Sequence, residues 1–188
     1  MNDQVILGGI SGSLRKDSYN TRLLHAVQEL LPENTRLELI SIEDVPLYNG
    51  DLDLPIAQQR PEPAERFRDA IRKVQGLVIC SPEYNHSIPG VMKNAIDWAS
   101  RGDDSPIIGK PVALMGATPG GWGTVLMQQA FLVVFQTLQM PLVPKPEILV
   151  SKAKEKFDAE GKFTDEKMKE QIRKKLHLLR EMILRNRV

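Results

Sequence analysis

Residues 8–20, which read GGISGSLRKDSYN, decide the fold because they join an apolar run to an amphipathic helix. The run Val5-Ile6-Leu7 predicts a first strand, and residues 21–31 carry leucine and valine at helical spacing. A turn rich in glycine and hydroxyls at this junction directs backbone N–H groups and the positive end of a helix at one spot, which favours an anion. The stretch therefore predicts a phosphate-binding turn. The alternative is an ordinary helix cap, in which serine and asparagine satisfy the helix's own donors.

Strand-like and helix-like segments alternate along the remaining chain. Predicted strands cover residues 5–9, 35–42, 77–81 and 111–116, with a last strand inside 141–151. Predicted helices cover residues 19–31, 89–101 and 124–138; another runs from Pro63 to a C-terminal cap at Gly76, and Thr164 caps the final one. This alternation predicts an α/β fold in which a doubly wound, five-stranded parallel sheet lies between two layers of helices. We expect residues 1–188 to form a single domain.

The composition excludes several classes of function. A net charge of +1, with both signs interspersed over 188 residues, gives no reason to expect nucleic acid or an anionic membrane as a partner. No segment has the length of a transmembrane helix or the pattern of a signal peptide, so we expect a cytoplasmic protein. The one cysteine, Cys80, lies in an apolar run and is expected in the core. No metal-binding cluster and no Ser/His/Asp set is evident in the sequence.

Three loops follow predicted strands, at the edge where doubly wound sheets bind ligands. The first lacks the Gly-Lys pair of a P-loop, the G-x-G-x-x-G fingerprint and a cysteine before Arg15. ATP, dinucleotide and thiol-phosphatase interpretations are therefore disfavoured. The polar side chains of this loop suit a terminal phosphate that is held rather than transferred. They are Ser11, Ser13, Arg15, Ser18 and Asn20.

The second loop, residues 81–90, suits a flat ligand. Two prolines stiffen it, and Tyr84 offers a planar amphipathic surface. Backbone N–H groups beside Glu83 and Asn85 are expected to face the edge of a planar heterocycle. The alternative is a rigid strand–helix connection without a ligand. The third loop, residues 116–123, is rich in glycine and leaves the fourth strand at the same edge.

Taken together, these motifs resemble those of the flavodoxin-like NAD(P)H-dependent FMN reductases, and most closely the bacterial quinone, chromate and azo-compound reductase branch. The resemblance extends in overall pattern over residues 5–147. It rests on Gly12-Ser13-Leu14-Arg15-Lys16-x-Ser18-x-Asn20, on Pro82-Glu83-Tyr84-Asn85 and on Pro89-Gly90-x-x-Lys93-Asn94-Ala95-Ile96-Asp97-Trp98. It implies the strand order 2-1-3-4-5, a bound FMN and NADPH or NADH as co-substrate.

The resemblance also implies a role for each loop. The first loop would hold the FMN phosphate and ribityl chain through Ser11, Ser13, Arg15, Ser18 and Asn20. The second would hold the isoalloxazine ring, largely through backbone groups of Pro82, Glu83, Tyr84 and Asn85. The third would approach the flavin through Thr118, Gly120 and Gly121. No catalytic side chain is implied, because the flavin performs the chemistry.

The implied activity is transfer of reducing equivalents from NAD(P)H through FMN to quinones, azo compounds, chromate or flavin, with ping-pong kinetics. Three alternatives stay open: a flavodoxin-type electron carrier, an FMN-free regulatory module, and a reductase that supplies reduced FMN to a partner enzyme. The family also implies a homodimer through residues 89–101 and 124–138, and a homotetramer stays open. The sequence assigns no role to Trp122, to His86 or to residues 43–63, which form either a covering segment or a mobile loop. Candidates for a 2′-phosphate contact are Lys93, Arg101 and Arg60.

Overall fold

The computed structural model describes residues 3–186, in which five strands and five helices alternate. The strands are β1 (Val5–Ser11), β2 (Thr35–Leu39), β3 (Gly76–Cys80), β4 (Val112–Ala117) and β5 (Ile148–Val150). The helices are α1 (Tyr19–Glu29), α2 (Glu62–Arg72), α3 (Gly90–Ser100), α4 (Val125–Thr137) and α5 (Glu166–Arg185). Within these described residues, no helix combines the length and the apolar character that crossing a bilayer requires.

The five strands form one parallel sheet in the order β2-β1-β3-β4-β5. This order confirms the predicted doubly wound, flavodoxin-like architecture. The register sets Ser11 opposite Cys80, so β1 and β3 end side by side in the middle of the sheet. Because the chain winds to β2 on one side of β1 and to β3 on the other, the switch point of the topology lies between the ends of these two strands.

Two apolar layers cover the two faces of the sheet. On one face α1 and α5 pack through Leu23, Val27, Leu176 and Leu179, all with no exposed surface. On the other face α2, α3 and α4 pack through residues such as Phe67, Ile96 and Phe131. The central strands β3 and β4 are buried at every residue, as strands covered on both faces should be. Helix α5 buries an apolar stripe that includes Ile172, Leu176, Leu179 and Ile183.

Two predicted helix caps are wrong. Gly76 does not end α2 but begins β3, where a Cβ atom would lie 2.6 Å from Cδ1 of Ile183, so glycine suits the close approach of α5. Thr164 does not cap α5: the side chain of Asp165 accepts the hydrogen bond from the N–H of Met168 at 3.0 Å. Glycine and threonine both fit the sequence pattern of a helix cap, and only the packed structure shows whether a given residue serves as a cap.

The ends of two elements are also shifted. Strand β2 stops at Leu39, and Ile40 and Ile42 are buried beyond it, whereas the predicted strand ran to residue 42. Helix α2 begins at Glu62, so that Pro63 occupies its second position rather than its first. Neither shift changes the order of elements or the position of the three loops.

Residues 43–61, which we call the strap, connect β2 to α2 and cover α3. The Pro46 carbonyl accepts hydrogen bonds from Asn94 Nδ2 at 2.8 Å and from Trp98 Nε1 at 2.7 Å. The N–H of Tyr48 donates to Asn94 Oδ1 at 2.8 Å. These contacts hold the strap over Trp98, which has no exposed surface. The structure therefore favours the covering interpretation of this long segment.

Candidate functional site

The three loops at the carboxyl ends of β1, β3 and β4 enclose a cleft of about 520 Å³, a volume typical of small-molecule sites. Most of the predicted site residues line it: Ser13, Arg15, Ser18, Asn20, Pro82, Glu83, Tyr84 and Thr118. Tyr19, Ala117 and Pro119 also line it and were not predicted. Ser11, Asn85, Gly120 and Gly121 do not line it. The spatial convergence expected of the three loops is thus present.

Two glycines bring the three loops together at the base of the cleft. A Cβ atom on Gly12 would collide with the side chain of Ser81, at the end of β3. A Cβ atom on Gly116 would collide with the side chain of Thr124 and would lie 2.6 Å from the carbonyl oxygen of Ser81. Because contacts to backbone cannot be relieved by a side-chain rotation, only glycine permits this approach of β1, β3, β4 and the start of α4.

The first loop has the properties of an anion site. Ser18 caps α1, and its hydroxyl accepts from the N–H groups of Asn20 at 3.2 Å and Thr21 at 3.4 Å. The N–H groups of Leu14, Lys16 and Tyr19 make no hydrogen bond to any other residue in the described part of the chain. Free backbone donors beside a helix N-terminus are the arrangement that binds phosphate. The capping interpretation is confirmed for Ser18, and phosphate binding by the free donors of the same turn stays a prediction.

Asn20 serves a different purpose from the predicted one. Its side chain is buried, with Nδ2 donating to the carbonyl of Ala117 at 2.9 Å and Oδ1 accepting from the N–H of Ala117 at 2.8 Å. The amide thus completes both backbone groups of the last residue of β4. Asn20 lines the cleft, but its amide ties α1 to the third loop. We therefore describe it as a positioning residue.

Ser11 and Arg15 differ in their access to the cleft. The hydroxyl of Ser11 lies 2.7 Å from that of Thr21, and Ser11 lines a neighbouring groove instead of the cleft. Arg15 is exposed and lines the cleft, and its guanidinium donates to the carbonyl of Asp17. The charge of Arg15 is therefore available at the open end of the first loop.

The second loop is a tight hairpin between β3 and α3. Tyr84 and Ser87 exchange backbone hydrogen bonds of 3.2 and 3.0 Å. The two residues between them, Asn85 and His86, have φ of 49° and 60°. Asparagine tolerates this left-handed conformation better than most residues, which explains its presence at the tip. The tip points Asn85 and His86 to solvent and leaves Tyr84, half exposed, on the wall of the cleft.

Glu83 joins the second loop to α4. Its Oε2 atom accepts from the N–H of Met127 at 3.0 Å, in the first turn of that helix. Its other carboxylate oxygen lies 3.4 Å from Nδ1 of His86. A carboxylate at a helix N-terminus interacts favourably with the helix dipole. Since the carboxylate is used in this way, a ligand in the cleft would contact Glu83 through other atoms, in agreement with the backbone role that the resemblance implies.

The third loop contributes less of the cleft than predicted. Thr118 lines it, while its N–H donates to the carbonyl of Val150 at 2.9 Å. Gly120 is exposed, and its carbonyl accepts from the N–H of Lys152 at 2.9 Å, which holds the loop to the segment after β5. Trp122 follows with 90 % of its surface exposed. The sequence signals that Ala117 and Pro119 belong to the site were weak, because neither carries a polar side chain.

Nucleophilic and metal chemistry find no support among the described residues. Burial raises the pKa of the Cys80 thiol well above its ordinary value, so this cysteine is a core residue, as predicted. The residues that the structure describes contain no group of three or more His, Cys, Asp and Glu side chains that could hold a metal ion. His25 and His177 are exposed on helices, also as predicted.

The three candidates for a 2′-phosphate contact differ in the structure. The side chain of Arg60 is only 2 % exposed and pairs with Asp53 at 2.6 Å and with Asp104 at 2.9 Å, so it is not available to a nucleotide. That suggestion is wrong. Lys93 pairs with Asp97 at 2.6 Å, and Arg101 is half exposed with its guanidinium over the ring of Tyr48.

The fold and the cleft define a flavodoxin-like α/β protein with an anion-binding loop at the switch point of the sheet. The model of a protein family, NADPH-dependent FMN reductase, matches residues 6–155. An NAD(P)H-dependent FMN reductase of Pseudomonas aeruginosa is 41% identical over 187 residues, which cover 100% of both chains. A quinone reductase of Escherichia coli is 32% identical over 190 residues, again covering 100% of both. The chain belongs to the NADPH-dependent FMN reductase family.

A solved structure agrees with this assignment. FerB, a flavoenzyme NAD(P)H:(acceptor) oxidoreductase from Paracoccus denitrificans, superposes with a TM-score of 0.84 at 33% identity, covering 96% of this chain and 98% of that one. The protein is therefore an oxidoreductase with FMN as cofactor and NAD(P)H as co-substrate. The cleft suits this cofactor: Tyr19, whose N–H group is free, and Arg15 line it on the first loop, and the planar side chain of Tyr84 and the stiff Pro82 line it on the second.

Proposed function

We propose that this protein reduces quinones and other small acceptors, including azo compounds, chromate and flavin, at the expense of NAD(P)H. The cleft carries the proposal, since it is open and lined by the three loops, with a half-exposed Tyr84 at its wall. Bound FMN supplies the redox chemistry by accepting a hydride from the nicotinamide and passing reducing equivalents to the acceptor. An open cleft discriminates weakly among flat acceptors, which agrees with a broad range of substrates.

Within this proposal each loop has a defined task. The free N–H group of Tyr19 and the guanidinium of Arg15 hold the phosphate, and the hydroxyls of Ser13 and Ser18 border it. The backbone of Pro82, Glu83 and Tyr84 and the ring of Tyr84 border the isoalloxazine, and Asn85 acts by shaping the turn beside them. Thr118 and Pro119 close the third side. Ser11, Gly120 and Gly121, which do not line the cleft, act by shaping the loops. The proposal treats residues 1–188 as one FMN-binding domain.

We propose that NAD(P)H and the acceptor use the cleft in turn, since it is the one that all three loops line. Ping-pong kinetics are expected for such sequential use, and no protein acid or base is required. Since NAD(P)H is the reductant, we also place the reaction in the cytoplasm, where this nucleotide is supplied.

Steady-state kinetics test the proposal. Purified protein reconstituted with FMN is assayed for NADPH and NADH oxidation with 1,4-benzoquinone, without any partner protein. Parallel double-reciprocal lines at several quinone concentrations are expected. Turnover only in the presence of a protein partner would favour a flavodoxin-type carrier instead. Loss of FMN to a free-flavin trap during turnover would favour a reductase that supplies reduced FMN to another enzyme.

The proposal includes a homodimer formed through α3 and α4. Three large apolar side chains of α4 are exposed: Leu126 at 41%, Leu132 at 50% and Val133 at 68%. Only Met127, Phe131 and Phe135 of this helix are buried against the sheet. A helix with apolar residues on its outer face as well as its inner face is typical of an interface between subunits.

A further inference from the structure

A groove of about 310 Å³ lies beside the FMN cleft, between the first loop, α1 and residues 39–43 at the end of β2. Ser13 and Arg15 line both the groove and the cleft, so the two cavities meet at the first loop. No residue of α3 or α4 lines the groove, which is therefore separate from the proposed dimer interface. Its volume is at the lower end of the range for small-molecule sites.

The first loop turns free backbone donors toward this groove as well as toward the cleft. The N–H groups of Leu14 and Lys16 make no hydrogen bond within the described chain, and both residues line the groove but not the cleft. The N–H of Arg15, between them, donates to Oγ of Ser13 at 3.3 Å. Free N–H groups in a turn before a helix are suited to an anion.

The groove also carries positive charge that is not neutralised. Arg15, Lys16 and His25 line it, and in the part of the chain that the structure describes none of them forms an ion pair with a carboxylate. The carboxylate of Asp17, in the same loop, lies 3.6 Å from the guanidinium of Arg22 instead. Unpaired cations beside free N–H groups favour a ligand with a phosphate group, which accepts several charge-assisted hydrogen bonds.

The wall after β2 has a different character. The N–H of Glu43 donates to Oγ of Ser41 at 3.2 Å, and both residues line the groove. A carboxylate and a hydroxyl can accept hydrogen bonds from the hydroxyls of a sugar. Leu39, which is 49% exposed, offers apolar surface beside them. The groove is thus complementary to a phosphorylated nucleoside rather than to a bare inorganic anion.

We propose that the groove binds the 2′-phosphate end of NADPH, with Lys16 as its charged contact. The inference rests on the proposed function, in which the nicotinamide enters the cleft beside FMN. Because the flavin and the nicotinamide fill the cleft, the adenosine end lies outside it, and the groove is contiguous with the cleft. Lys93 is less suitable, since it already pairs with Asp97 at 2.6 Å. Lys16 therefore selects NADPH over NADH, which has a hydroxyl in place of this phosphate.

Oxidation of NADPH and NADH by the FMN-loaded protein, with 1,4-benzoquinone as acceptor, tests the contact. The unmodified protein is expected to have the higher kcat/KM with NADPH. Lys16→Ala is expected to lower kcat/KM for NADPH about 10-fold and to leave that for NADH unchanged, because only NADPH loses a charged hydrogen bond. Lys16→Glu should lower it further by repelling the phosphate. Lys73→Ala is the control: it removes an exposed lysine at the end of α2, on the opposite edge of the sheet, and should change neither value.

Calorimetry gives a readout that does not depend on turnover. Adenosine 2′,5′-bisphosphate is expected to bind the FMN-loaded protein more tightly than ADP, which has as many phosphates but none at the 2′ position. Lys16→Ala should remove this difference. Equal kcat/KM for the two nucleotides, equal binding of the two adenosine phosphates, or unchanged ratios in Lys16→Ala would each overturn the proposal. If neither NADPH nor NADH were oxidised, the proposed function would fail, and the calorimetric comparison would still decide the contact.

Discussion

Arg15 is the residue on which retention of the FMN phosphate should depend most. Its guanidinium lies at the open end of the first loop and, among the described residues, donates to the carbonyl of Asp17 alone. A charged hydrogen bond contributes about 1.5–3 kcal/mol, so Arg15→Ala is expected to weaken FMN binding about ten-fold or more. Fluorescence titration of apoprotein with FMN measures this change.

The neighbouring Lys16 provides the control for Arg15. It carries the same charge on the same loop but does not line the cleft. Lys16→Ala should therefore change FMN affinity much less. If both variants lost affinity equally, a general attraction between charges rather than a specific contact would be acting at the loop.

Replacing Asn20 should lower the stability of the fold around the cleft without changing the charge of the site. Asn20→Ala leaves the buried N–H and carbonyl of Ala117 unpaired, at about 1–3 kcal/mol for each group. We expect the free energy of unfolding to fall by about 2–4 kcal/mol. Urea denaturation of the apoprotein measures it. Gln28→Ala, exposed on the same helix, should change stability by less than about 0.5 kcal/mol, and a similarly small effect for Asn20→Ala would contradict the positioning role.

At the scale of elements, α4 contributes both to the flavin cleft, by holding the second loop, and to the proposed dimer interface. Its inner face packs on the sheet, the N–H of Met127 in its first turn donates to the Glu83 carboxylate, and its outer face carries exposed Leu132 and Val133. The helix that fixes the second loop is thus the helix we expect at the subunit interface. Association of two chains would then place a second surface beside the flavin cleft.

Changing the outer face of α4 should prevent the proposed dimer from forming. The double variant Leu132→Glu, Val133→Glu introduces charges that cannot be buried without partners, and a monomer is expected by multi-angle light scattering. Gln28→Glu, which adds one charge at an exposed position of α1 on the other face of the sheet, should remain dimeric. A monomeric unmodified protein at micromolar concentration would overturn the interface.

At the scale of the whole molecule, one carboxylate connects three parts of the chain. Asp104 accepts hydrogen bonds from Arg60 of the strap at 2.9 and 3.0 Å, from Arg68 of α2 at 2.7 Å, and from Arg72 of α2 at 3.0 Å. Asp104 itself lies in the connection between α3 and β4. The hydrogen bond from Arg60 is the main cause that lowers the pKa of Asp104 from 3.8 to about 2.

Stability should therefore depend on pH through Asp104. The folded-state pKa lies below the unfolded one, so the contribution of Asp104 is complete above about pH 4 and is lost as the pH falls toward 2. We expect the difference in unfolding free energy between the unmodified protein and Asp104→Asn to shrink over this window, as measured by urea denaturation. Asp103→Asn, which removes the adjacent exposed carboxylate, should show no such window. A constant difference from pH 6 to pH 2 would contradict the assignment.

The sequence by itself determined the alternation of strands and helices, the parallel sheet and the three loops that form the cleft. These features follow from the periodicity of apolar residues and from clusters of glycine, proline and hydroxyl residues. Both are local patterns that can be recognised in the sequence without a structure. The motifs around Arg15 and Tyr84 were local in the same sense, which is why the family could be anticipated from them.

Only the tertiary structure decided how polar side chains are used. Asn20 pairs with Ala117, 97 positions away, and Glu83 with Met127, 44 positions away. Arg60 pairs with Asp104, and the Lys175 side chain is buried and donates to two backbone carbonyls. The tertiary structure also decided the place of Gly76, which begins β3 with α5 packed against it. The physical reason is that a polar side chain can form hydrogen bonds with many different groups, and the sequence does not show which of them will be near. Burial and distance select the partner only once the sheet and the helices have packed.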